Sequence, residues 1–109
     1  MNDRFDRFDY FTYREGSRDG RGEYLYKSTG DVYIGDWKGG LRSGQGKMVW
    51  ASSDGNSYEG GWVNGTMDGQ GEYRWARSGT RFTGLFRFGL RTELGTFTFK
   101  SGAVVAATK

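Results

Sequence analysis

Large side chains recur at every second position in short bursts. Tyr33, Gly35 and Trp37 share parity, as do Gly46, Met48 and Trp50, with Ile34, Asp36, Lys38 and Gln45, Lys47, Val49 between them. Successive residues of a strand point to opposite faces, so each burst predicts a strand with an aromatic side and a mostly polar side. Between the two bursts, Lys38-Gly39-Gly40-Leu41-Arg42-Ser43-Gly44 reads as a loop rich in the residue that accepts positive φ. The equivalent stretch further on contains Asn64-Gly65, a hairpin signal. Helix is disfavoured: no stripe of about 3.6-residue period is present, and each interior glycine costs about 1 kcal/mol relative to alanine.

The hairpin then repeats. Tyr33, Gly35, Trp37, Gly40, Gly44, Gly46 returns 25 residues later as Tyr58, Gly60, Trp62, Gly65, Gly69, Gly71. After 24 more it returns as Phe82, Gly84, Phe86, Gly89, Glu93, Gly95. A weaker copy precedes them in Asp9, Phe11, Tyr13, Gly16, Gly20 and Gly22. Each copy ends in two large residues and a glycine: Tyr24/Tyr26/Gly30, Met48/Trp50/Gly55, Tyr73/Trp75/Gly79 and Phe97/Phe99/Gly102. An isolated hairpin is marginal in water, so the units must lean on one another. The expected fold is all-β, a single-layer solenoid of consecutive antiparallel hairpins. Its repeat domain spans residues 9–105, with units at 9–32, 33–57, 58–81 and 82–104. Residues 1–8, with their Asp-Arg-Phe repeat, are expected to be a cap or a flexible anchor, and 105–109 a tail.

The spacing Tyr-x-Gly-x-Trp-x-x-Gly-x-x-x-Gly-x-Gly, carried by residues 33–46 and 58–71, resembles the MORN repeat. The later copy departs in Phe82, Phe86 and Glu93, and the first keeps only Tyr13, Gly16, Gly20 and Gly22. The resemblance implies a hairpin solenoid acting as a scaffold near membranes or in cytoskeletal assemblies. It also implies links to phosphoinositide binding and to docking of partner helices in an aromatic groove. No catalytic residue belongs to the repeat.

Composition narrows the chemistry. The 109 residues include 20 Gly but no Pro, Cys or His. That removes disulfides, thiolate metal sites and the commonest general base, so no enzyme activity, cofactor or metal is expected. No apolar run suits a spanning helix or a signal peptide, which sets the expectation of a cytoplasmic protein, with cytoskeleton or membrane association allowed. Residues 1–46 balance eight basic against eight acidic side chains, and 47–71 set one against three. Residues 72–109 set seven against two, a net of +5.

Two candidate sites follow. A ring-lined groove of Tyr33, Trp37, Trp50, Tyr58, Trp62, Trp75, Phe82 and Phe86 is expected to receive a protein segment, because a one-layer sheet has nothing of its own to cover that side. A homodimer would cover it equally well. The alternative is a peripheral membrane module in which Arg74, Arg77, Arg81, Arg87 and Arg91 meet acidic phospholipid. Nucleic acid is not expected as a partner, since rings recur in every repeat while the basic residues do not.

Overall fold

In a computed structural model that describes residues 12–14 and 17–108, the alternating bursts are strands of one sheet. The cap or anchor expected of residues 1–8 lies outside the described residues. The strands are β1 (Thr12–Arg14), β2 (Ser17–Tyr26), β3 (Asp31–Lys38), β4 (Leu41–Trp50), β5 (Asn56–Val63), β6 (Thr66–Arg74), β7 (Arg81–Arg87), β8 (Leu90–Thr98) and β9 (Val104–Ala106). Ala51–Ser53 adds a short 3-10 turn. The strands pair antiparallel in chain order, so the hairpins stand in single file along a body of 46 × 24 × 21 Å.

The hairpin connections are tighter than the sequence suggests. The seven-residue loop expected between Lys38 and Gly44 contracts to two residues, Gly39 and Gly40, at φ 58° and 82°. Asn64 and Gly65 repeat this geometry at 50° and 81°, and Phe88 and Gly89 at 52° and 79°. Positive φ at both central positions is the type I′ turn, whose twist matches the flanking strands. Gly44 instead lies within β4, where the pairing with β3 slips between Gly35 and Trp37. The same slip recurs between Gly60 and Trp62 and between Gly84 and Phe86. The slip takes up two extra residues of β4, which leaves parity unchanged, and Arg42, in step with Gly46 and Met48, pairs with Trp37 on the ring side.

Register explains the glycines. Gly22, Gly35, Gly46, Gly60, Gly71, Gly84 and Gly95 face one another across seven strands as one continuous row. Beside it runs a row of large side chains: Tyr24, Tyr33, Met48, Tyr58, Tyr73, Phe82, Phe97. Rings of the second row lie over the bare backbone of the first. A Cβ at Gly46 would fall inside the Tyr33 ring, and one at Gly71 inside the Tyr58 ring. Tyr33, Tyr58 and Phe82 are wholly buried in this way. Edge-to-face packing ties them along the solenoid, with Trp62 centred 5.3 Å from both Tyr33 and Tyr58 and Phe86 4.7 Å from Tyr58. Such pairs contribute about 0.5–1.5 kcal/mol each beyond their burial.

Both edges of the sheet are braced between repeats. On one, Asp31 Oδ1 accepts from the Ala51 amide at 2.8 Å and Asn56 Oδ1 from the Ala76 amide at 2.9 Å. On the other, the Gly65 amide donates to the Arg42 carbonyl at 2.8 Å and the Gly89 amide to the Met67 carbonyl at 2.9 Å. These bonds fix how each hairpin leans on the next.

Candidate functional site

The structure divides the eight-ring groove in two. Tyr33, Trp37, Tyr58, Trp62, Phe82 and Phe86 are core residues, none more than 5% exposed. They form the floor of the sheet and offer a partner almost no surface, a correction to their expected role as groove lining. Strand parity reports the side on which a ring lies, and nesting over the glycine row then sets its depth. Trp50 and Trp75 are half-buried, and the structure adds Tyr26, Tyr73, Phe97 and Met67 to them. Trp50 stacks on Tyr73 with centroids 5.6 Å apart, and Tyr73 leans on Trp75 at 4.7 Å. The described elements make a single layer, so no second sheet or helix among the described residues lies over this ladder.

One end of the ladder is hollow. Met67, Tyr73, Trp75, Phe86, Leu90 and Arg91 line a mainly apolar depression of about 220 Å³ between β6 and β8. A substitution within the repeat accompanies it. At the equivalent position of the preceding unit, Arg42 spans the gap. Its Nη1 donates to Tyr26 Oη at 2.6 Å, its Nη2 to the Gly65 carbonyl at 2.7 Å, and its guanidinium lies 5.0 Å from the Trp62 ring centre. Met67 carries no such head; beside Arg42 a second depression of about 240 Å³ lies among Tyr26, Met48 and Trp50.

The five arginines do not share a face. Arg91 lies on the ring side, its guanidinium 4.9 Å from Phe97 and 5.6 Å from Phe82, donating to the carbonyls of Thr92 and Thr108. Arg87 closes β7 beside the Phe88–Gly89 turn. Arg74, Arg77 and Arg81 gather at the opposite edge, around the β6–β7 linker, where Lys100 joins them. Sequence reasoning passed over Lys100 and Arg42. Lys100 occupies the repeat position of Ala51 and Ala76, a comparison that would have shown it; Arg42 shares the parity of Gly46 and Met48 and was hidden because its stretch reads as a loop. Among the described residues no group of three or more His, Cys, Asp or Glu side chains stands close enough to hold a metal ion.

Burial also sets the phenols. Desolvation pushes Tyr58 up to about 12, against a lowering by its hydrogen bond to Gly61, and moves Tyr33 further in the same direction. These hydroxyls stay protonated and serve as donors.

A family model for the MORN repeat matches residues 12–30, 33–55, 58–80 and 82–104. The chain belongs to the MORN-repeat family. MORN repeats are non-catalytic modules that generally mediate protein or membrane-lipid interactions. In this MORN chain the family's fixed Tyr, Trp and Gly positions are the ones that build the floor. What varies between its repeats, Arg42 against Met67 and Ala51 against Lys100, shapes the surface above and beside it.

Proposed function

We propose that this chain is a non-catalytic scaffold or adaptor module that receives a protein segment across its half-exposed ring ladder. The observation carrying this reading is the depression floored by Phe86 and walled by Met67, Trp75 and Leu90, in line with Trp50 and Tyr73. A bulky apolar side chain fits it, and the rings beside it extend the contact along the segment. Rigid aromatic anchors around a desolvated pocket are what hot spots consist of. The alternative partner, acidic phospholipid, has three of the five expected arginines on any one side to meet it. The reading carries a cytoplasmic placement beside cytoskeleton or membrane, which cell fractionation checks.

A photo-crosslinking side chain at position 90 tests the docking. The expected product joins it to a segment of another protein, and Trp75→Ser abolishes the product while far-UV circular dichroism stays unchanged. Crosslinking only to lipid, or only to a second copy of this chain, overturns the reading.

A further inference from the structure

One ring-side position changes from repeat to repeat. Arg42 pairs with Trp37, Met67 with Trp62 and Arg91 with Phe86, each directly across its hairpin. Arg42 is spent within the protein, its Nη1 on Tyr26 Oη and its Nη2 on the Gly65 carbonyl. Arg91 is not. Both of its hydrogen bonds leave from Nη1, at 3.2 Å to the Thr92 carbonyl and 3.1 Å to the Thr108 carbonyl. Its Nε and Nη2 have no hydrogen-bond partner among the described residues, and it forms no ion pair with any of them. The guanidinium meanwhile rests on the rings of Phe82 and Phe97, 5.6 and 4.9 Å from their centres. A head seated in this way loses less freedom on meeting a ligand than a free one does.

Arg91 is also the charged wall of the depression described above; the remaining lining is Met67, Gly89, Leu90 and four rings. An apolar hollow with a cationic wall favours an apolar group that carries a negative charge beside it. A lysine or arginine on the docked segment would meet a like charge there. A wholly apolar segment would cover the Nε–Nη2 edge and give it no acceptor, which is unfavourable for a charged donor. Glu93 lines the adjoining groove with Leu90 and Arg91, so it disfavours a second carboxylate. The surplus of residues 72–109, a net of +5, draws an acidic segment toward this end of the sheet.

We infer that the protein segment received at the ring ladder presents an apolar side chain with an Asp or Glu beside it. The apolar group fills the depression, and the carboxylate takes the open edge of Arg91 through two parallel hydrogen bonds, the geometry that a planar guanidinium offers. This inference rests on docking at the ladder and names the chemistry of what docks. Arg91 is then the residue that sets specificity, while Trp75 and its neighbouring rings supply the contact area.

The test selects a random-peptide library, displayed on phage, against the immobilised protein and titrates the enriched peptides by fluorescence polarisation. Their sequences should place Asp or Glu next to, or one residue removed from, a Leu, Met or Phe. Replacing that acid by its amide should weaken binding at least about tenfold on the parent chain and about twofold or less on Arg91→Gln. Arg74→Gln, which removes the same charge at the opposite edge, should keep the full dependence on the acid. Trp75→Ser should release every peptide, with far-UV circular dichroism unchanged in all three variants. An acid dependence that survives Arg91→Gln, or that Arg74→Gln reduces as much, overturns the inference and leaves docking at the ladder standing. So do Trp75-dependent peptides that lack an acid. If no peptide binds in a Trp75-dependent way, docking at the ladder falls and the inference falls with it.

Discussion

Thr92 supplies the hydrogen bond that Phe82 cannot make. In the two preceding repeats a tyrosine hydroxyl donates to the carbonyl three residues on, Tyr33 to Asp36 at 2.9 Å and Tyr58 to Gly61 at 3.0 Å. Phe82 has no hydroxyl, and the matching Leu85 carbonyl accepts from Thr92 Oγ1 at 2.8 Å. The same oxygen accepts from the Leu94 amide at 3.0 Å. Glu93 stands where Gly44 and Gly69 take φ of 107° and 93°, and it stays out of that region. One hydroxyl thus holds a bulge that elsewhere needs a tyrosine and a glycine.

Thr92→Val should therefore cost about 1–3 kcal/mol, since it strands a carbonyl and an amide. Adding Phe82→Tyr should restore most of that loss by returning the donor from the other side. Urea unfolding of both single variants and the pair measures the coupling. A Thr92→Val chain as stable as the parent would contradict the compensation.

The turn at Phe88 works against the fold. Its φ of 52° places an aromatic residue in the left-handed region with its side chain 82% exposed, where the other two turns use Gly39 and Asn64. Phe88→Asn should stabilise the chain by about 1 kcal/mol, the conformational cost of that region for an ordinary residue. Thermal melting reads this as a raised Tm. A lowered Tm would mean that the Phe88 ring has packing value.

Alkali should unfold the protein through its buried phenols. An unfolded tyrosine ionises near about 10, while Tyr58 is held to about 12 and Tyr33 beyond it, both by desolvation. A raised native pKa means that the native state keeps protons which the unfolded state gives up. Stability is complete below about pH 10 and falls as pH climbs through about 12. Phenolate absorbance and circular dichroism, followed together, should show Tyr33 and Tyr58 ionising only as the strands are lost. Ionisation of both near pH 10 in an intact sheet would refute the burial argument.

The repeat and its strands were legible because ring and glycine alternate at fixed spacing, which only a strand face accommodates. The Lys38–Gly44 stretch misled because three glycines in seven residues look alike in sequence. Two of them make a turn and the third sits in a bulge, a difference set by pairing with β3. Reading that stretch as a loop also hid Arg42, which lies within β4 in step with Gly46 and Met48. Depth was equally out of reach: Trp37 and Trp50 share a face, yet Trp37 is buried and Trp50 is not, because neighbouring strands cover them unequally. Arg74 and Arg81 were visible as basic residues, but their face-to-face pairing needed the register of β6 on β7.

The nesting of rings over bare backbone is tested most directly by unfolding Gly71→Ala beside Gly69→Ala. At Gly71 a methyl group would occupy the Tyr58 ring, whereas at Gly69 it would meet no atom and only disfavour a φ of 93°. Urea titration followed by far-UV circular dichroism should show Gly71→Ala losing roughly 3 kcal/mol or more and Gly69→Ala about 1–2. Equal losses, or a Gly71→Ala chain as stable as the parent, would mean that the glycine row does not seat the rings.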